Sequence, residues 1–221
     1  CLAALAGVRF VHDDCVAALG DFRLPLRGVV FLLGGGLLLT FRTSGMEQAA
    51  QDEGVVLFSE LLEDAYDASD SPFIVTLDGV TDPRNLGAVI RSSAAFGADG
   101  VVVPERRAAG MTASAWKASA GAAARMQVAQ VTNLNRAIED VQQRGYFVVG
   151  LDGEAQTLVS DMKVATEPIM IIVGSEGKGL SRLTSEKCDL VVKIPMRSTT
   201  ESLNASVATS IALFAVDEAR K

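Results

Sequence analysis

Nearly half of this 221-residue chain is hydrophobic, enough for a packed core in one or two domains. A net charge of −7 argues against a general polyanion binder, because phosphate contacts need local Lys and Arg, although a basic site can sit on an acidic body. The three cysteines, Cys1, Cys15 and Cys188, are scattered without metal-ligand spacing, so neither a disulfide framework nor a metal site is expected, and a reducing, cytoplasmic compartment fits.

Residues 1–45 are the hardest to read. Cys1 is not a natural start, so the chain is expected to be cut or processed; Met46 is an alternative start, which would make residues 1–45 foreign to the rest. The apolar run from Val29 to Leu39 is too short to span a bilayer, and Gly34, Gly35 and Gly36 weaken it as a helix. A signal peptide over residues 2–8 would lack a basic leader and a cleavage pattern. Buried strands or a disturbed fragment are the plainer expectation. Residues 46–72 are acidic. Leu57, Leu61, Leu62 and Tyr66 predict a short amphipathic helix there, read as a linker packing on the sheet that follows.

From Pro72 onward strands and helices alternate. Strands are predicted over residues 73–77, 100–103, 128–131, 147–151, 169–173 and 190–194. Helices are predicted over 85–96, 113–126, 134–144, 180–187 and from about 202 towards 220. Continuous β-branched strands between helices imply an α/β fold, a parallel sheet covered by helices on both faces. The expected division is an N-terminal segment, 1–71, and a regular domain, 72–221. Neither a dinucleotide fingerprint nor a Walker loop occurs.

Two loops and one helix start in that pattern carry chemistry. Pro195 stops the last strand, residues 197–201 form a polar loop, and Ser202 or a neighbouring Thr is expected to cap the final helix. A strand end, a polar loop and a helix start together make a ligand site in an open α/β sheet. The run Gly174-Ser175-Glu176-Gly177-Lys178-Gly179 likewise joins a buried strand to a helix; its glycines let backbone approach a ligand or take positive φ. Glu176 alone reads as a first-turn acid answering the helix dipole. Asn85 reads as a helix cap, and Arg91, six residues on, as a surface cation. The sole histidine, His12, lies outside residues 72–221, which excludes a Ser-His or Cys-His couple there.

The segment from Lys193 to Val207, the segment from Leu77 to Arg91 and the segment from Ile172 to Ser181 resemble, in the right order, the three motifs of the SpoU/TrmH family of RNA ribose 2′-O-methyltransferases. The resemblance covers about residues 72–221 and is nearest to bacterial enzymes acting on a guanosine ribose of large-subunit ribosomal RNA. It implies a C-terminal trefoil knot, a rare exception to unknotted topology. It also implies S-adenosylmethionine as cofactor and a homodimer whose knotted domains complete each other's sites. No membrane and no metal enter the expectation.

Residue by residue, the resemblance gives Asn85, Arg91, Glu176, Ser202 and Asn204 as the reaction set. Gly174, Ile194, Met196 and Leu203 become the cofactor pocket, with Ile194 equally readable as ordinary core. The family assigns hydroxyl activation to the arginine. Since Arg keeps its proton to a pKa above roughly 12, electrostatic stabilisation of the growing alkoxide is physically easier for Arg91 than proton abstraction. Arg84, Arg106, Arg107, Lys117 and Arg197 are candidate phosphate contacts, each also readable as a solvated charge. Two rivals stand beside the first reading: a transfer RNA methyltransferase of the same fold, and a non-catalytic RNA-binding or assembly protein.

Overall fold

The computed structural model describes residues 55–197 and 202–221, together with the backbone of residues 31–33 and 36–38. Two units are present, residues 1–49 and 50–221. In the first, β1 (Phe31–Leu33) and β2 (Gly36–Leu38) pair antiparallel, Leu32 opposite Leu37. The other expectations for residues 1–45, a leader and a start at Met46 among them, lie outside the described residues.

The second unit is built on one parallel sheet. Its strands are β3 (Val55–Val56), β4 (Phe73–Asp78), β5 (Gly100–Pro104), β6 (Gln127–Val131), β7 (Phe147–Leu151), β8 (Thr157–Leu158), β9 (Ile169–Gly174) and β10 (Leu190–Lys193). They lie in the order β3-β6-β5-β4-β9-β7-β10-β8. Every pairing in it is parallel. The helices are α1 (Phe58–Ala68), α2 (Pro83–Ala95), α3 (Ala113–Ala118), α4 (Leu134–Gln143), α5 (Arg182–Lys187) and α6 (Ala205–Ala219).

The period-2 alternation of a strand divides the core in two. Phe73, Val75 and Leu77 of β4 and Ile169, Ile171 and Val173 of β9 meet Leu86, Val89 and Ile90 of α2 and Ala212, Leu213 and Val216 of α6. Ile74, Met170 and Ile172 point the other way, onto Leu61 and Leu62 of α1 and Ile138 and Val141 of α4. Both faces of the sheet are therefore buried, which is why its strands read as unbroken apolar runs. Each fully buried Leu, Ile or Phe contributes about 1.5–3 kcal/mol.

The chain lays β4, β5 and β6 outward in one direction, crosses through α4 to β7, and later inserts β9 between β4 and β7. The strand order reverses there. The crevice beyond the carboxyl ends of β4, β9 and β7 is thus the place where an open α/β sheet binds ligands.

Three local expectations are corrected. Helix α2 starts at Pro83, and its cap is Asp82, whose carboxylate accepts the Arg84 N–H at 2.9 Å; Asn85, read as the cap, sits inside the first turn. The predicted helix 113–126 breaks after Ala118, because Ala120 and Gly121 take positive φ (50° and 86°), and resumes as a 3-10 turn over Ala122–Ala124. The final helix is capped by Asn204 rather than by Ser202 or a threonine: its Oδ1 accepts the N–H groups of Ser206 and Val207 at 3.0 and 3.4 Å. The two-residue strands β3 and β8 left too little periodicity to be predicted.

Gly87 permits the contact of α2 with α3. A Cβ there would lie 2.3 Å from the Ala115 carbonyl oxygen and 2.6 Å from the Ala118 Cβ. Arg220 fastens the far end of α6. It donates to the carbonyls of Ala165 (2.7 Å), Ser71 (2.8 Å) and Glu167 (2.9 Å) and lies 5.2 Å from the centre of the Phe73 ring.

Candidate functional site

At the carboxyl ends of β7, β9 and β10 lies a cavity of about 440 Å³. Leu151, Asp152, Gly153 and Glu154 follow β7; Val173 to Gly179 close β9; Ile194, Met196, Ser202, Leu203, Ala205 and Ala208 come from the segment between β10 and α6 and from α6 itself. One side is apolar and the other is loop backbone, the composition of a pocket for a drug-sized organic ligand.

The loop after β9 is a tight return. The N–H of Ser175 donates to the Gly179 carbonyl at 3.1 Å and the N–H of Gly179 to the Ser175 carbonyl at 3.0 Å, with φ of +75° at Gly177 and +64° at Gly179. Gly174 is a glycine for another reason: a Cβ would stand 2.1 Å from the Gly179 carbonyl carbon and 2.4 Å from the Leu180 nitrogen. The loop's own backbone already fills the place of a side chain. Ser181, whose Oγ caps α5 by accepting the Thr184 N–H, donates its own N–H to Asp78 Oδ2 at 3.0 Å and ties this loop to the end of β4.

Beside the cavity three polar side chains from distant parts of the chain meet. Glu176 Oε1 accepts Asn85 Nδ2 at 2.8 Å, Asn204 Nδ2 at 2.6 Å and the Ala205 N–H at 3.4 Å. Asn204 Nδ2 also donates to Asn85 Oδ1 at 3.0 Å. Because Asp82 caps α2, the Asn85 amide is free for this bridge. Because Asn204 has both a carbonyl and an amide, it caps α6 with one and reaches Glu176 with the other. Glu176 is not spent on a helix dipole, as its sequence position alone suggested; its oxygen ties its own loop to the first turn of α2 and to the start of α6.

Of the residues singled out by sequence, Asn85, Glu176 and Asn204 are brought into direct contact. Gly174, Ile194, Met196, Leu203 and Ser202 all line the cavity. Arg91 is not brought to them. It is exposed on α2, about 9 Å further along the helix axis than Asn85 and turned about 120° away, and among the described residues it has no ion pair. Of the candidate phosphate contacts, Arg84 is engaged by Asp82 at 3.1 Å, and this pair holds the Asp82 carboxyl below the usual carboxylate range.

Sequence reasoning missed Asp78 and the Asp152-Gly153-Glu154 turn. Both were legible in principle, since each follows a predicted buried strand, and parallel strands deliver such turns to one edge. Among the described residues no group of three or more His, Cys, Asp or Glu is disposed to hold a metal ion, and no helix is long and apolar enough to cross a membrane.

The profile of the SpoU rRNA Methylase family matches residues 72–214, and the chain belongs to that family. The C-terminal trefoil knot is implied by this membership. The chain is 54% identical over 156 residues to a protein of Mycobacterium ulcerans named an uncharacterized tRNA/rRNA methyltransferase, covering 70% of this chain and 50% of that one. The chain thus spans about half the length of such curated relatives. Among solved structures, the SpoU methyltransferase AviRb of Streptomyces viridochromogenes in complex with AdoMet superposes with a TM-score of 0.65 at 28% identity, over 72% of this chain and 64% of that one. The TrmH/SpoU tRNA modifying enzyme of A. aeolicus gives a TM-score of 0.61 at 25% identity, over 73% and 83%.

Proposed function

We propose that this protein transfers a methyl group from S-adenosylmethionine to a ribose 2′-hydroxyl of RNA, with a guanosine of large-subunit ribosomal RNA as the target. The observation that carries the reading is the meeting of Asn85, Glu176 and Asn204 beside a cavity of about 440 Å³. That volume falls in the range of about 300–1,000 Å³ for small-molecule sites. The donor set fits the cofactor: Ile194, Met196 and Leu203 offer apolar walls for an adenine, and the backbone around Gly174 offers polar groups to its edge.

When bound, S-adenosylmethionine supplies an electrophilic methyl group. The chain's residues bind, orient and stabilise. Glu176 holds its loop in register with α2 and with the start of α6, and Ser202 and Asn204 offer hydroxyl and amide groups beside the walls. The Arg91 guanidinium is assigned to the charge that develops on the ribose oxygen. Its direction on α2, away from Asn85, supports a role at the site of a second copy of the chain. So does the exposed apolar stripe of α6, where Val207 is 47% and Phe214 50% accessible and Phe214 meets Phe96 edge-to-face at 6.1 Å. We therefore read the working form as a homodimer in the cytoplasm.

Calorimetry should find S-adenosylmethionine bound at micromolar affinity, on the order of −8 kcal/mol, with S-adenosylhomocysteine competing. Labelled methyl should pass to ribosomal RNA and map to a 2′-O-methyl nucleotide. Transfer to transfer RNA alone would favour the reading suggested by the A. aeolicus enzyme; cofactor-independent RNA binding would favour a non-catalytic one.

A further inference from the structure

The turn after β5, Glu105-Arg106-Arg107-Ala108, is held at both ends. The Glu105 N–H donates to the Val131 carbonyl at 2.9 Å, and the Ala109 N–H donates to the Val80 carbonyl at 2.8 Å. Ala109 and Met111 are buried behind it. The tip is exposed, and Arg106 and Arg107 make no hydrogen bond or ion pair among the described residues. Arg107 has φ of 59°, the left-handed region, where a side chain is unfavourable and glycine is the cheaper residue. An arginine thus occupies a strained position on a fixed turn and has no structural partner to account for it there.

The turn stands at the same end of the sheet as the cavity. From β5 to β9 is two strand spacings and to β7 three, an offset of about 10–15 Å. This is a reach of about three or four nucleotides at ~3.4 Å each. Arg84, another cation of that edge, is already engaged by Asp82, while Lys178 lies on the cavity's own loop.

We propose that Arg106 and Arg107 form a phosphate clamp that holds the RNA backbone beside the methyl-transfer site; the proposal rests on the RNA-modifying reading above. The planar guanidinium forks suit phosphate oxygens. With Glu105 beside them, the tip carries one net positive charge.

The test compares the wild-type chain with the double variant Arg106→Ala/Arg107→Gly. Fluorescence anisotropy with a labelled, mixed-sequence single-stranded RNA is recorded across a salt series. Two lost phosphate contacts should flatten the slope of log K against log salt by about 1.4 and weaken binding about 25-fold at ~0.1 M salt. S-adenosylmethionine affinity should be unchanged, and the melting temperature unchanged or higher, since glycine relieves the backbone at 107. Equal slopes, in a wild type that binds and methylates RNA, would overturn the clamp and leave the proposed function standing. A wild type that neither binds RNA nor transfers methyl would overturn both. A lower melting temperature with equal slopes would make the turn purely structural.

Discussion

The sharpest test of the site is Glu176→Gln. Glutamine has the same shape, so its carbonyl can take the place of Oε1, but the bonds from Asn85 and Asn204 lose the charge that strengthens them. A hydrogen bond to an ionised group is worth ~1.5–3 kcal/mol and a neutral one ~1. The bonds at 2.8 and 2.6 Å carry most of the effect, and the third, at 3.4 Å, little. The undiscounted loss is ~1–4 kcal/mol. Because Glu176 and Asn204 are exposed and water competes for them, the expected loss is at the lower end, ~1 kcal/mol, or ~2–4 °C in melting temperature. Thermal denaturation and cofactor calorimetry of Glu176→Gln, Asn204→Ala and the double variant give the coupling directly, expected at ~1 kcal/mol. Zero coupling would refute the bridge. A Gln variant with normal stability and cofactor affinity, but a shifted pH–rate profile, would make Glu176 a proton acceptor instead of a positioning residue.

Other outcomes follow from the same geometry. Arg91→Ala should keep cofactor binding and lower turnover ~100- to 1,000-fold, the range for losing one preorganised donor, and Arg91→Lys should recover little; strong alkaline rescue in single-turnover assays of the Lys variant would instead make residue 91 a base. Gly174→Ala should cost ~1–3 kcal/mol as the added carbon displaces the Gly179 backbone, with cofactor heat lost in calorimetry; a wild-type melting temperature would refute the clash. Burial pushes the Cys188 thiol up to about 12, with the Asp189 and Asp78 carboxylates adding to it. A raised folded-state value stabilises below the unfolded thiol's value and loses that contribution as pH climbs through about 9 towards 12. Melting curves should therefore fall over that window and flatten in Cys188→Ala, and native Cys188 should resist alkylation at pH 8.

What the sequence made legible tracks how local the cause is. Strands buried on both faces announce themselves as unbroken apolar runs, so β4, β7 and β9 were placed almost to the residue. Spacing alone does not group the motif residues; the resemblance did, and of that group the structure brings Asn85, Glu176 and Asn204 into contact but not Arg91. Caps were misplaced where two candidates compete: Asp82 outcompetes Asn85, and Asn204 outcompetes Ser202, only once tertiary partners for the amides exist. Gly174 was read as making room for a ligand, whereas the clash that requires it comes from Gly179, five residues later, after the loop has turned back. Arg107's strained backbone left no trace in composition or periodicity.

Helix α6 is tied at both ends, by Asn204 to the loops beside the cavity and by Arg220 to the carbonyls of Ser71, Ala165 and Glu167. Its 15 residues make a rod of about 22 Å, pinned like a strut across one face of the sheet. A rod pinned twice can neither slide nor roll without stretching one of its fastenings. Leu203, Ala205 and Ala208, which wall the cavity, are therefore gauged from the opposite edge of the molecule. Loosening the distant pin by Arg220→Ala would let the wall shift though nothing near the cavity had been touched, so the width of the pocket is set partly by an arginine at the other end of the helix.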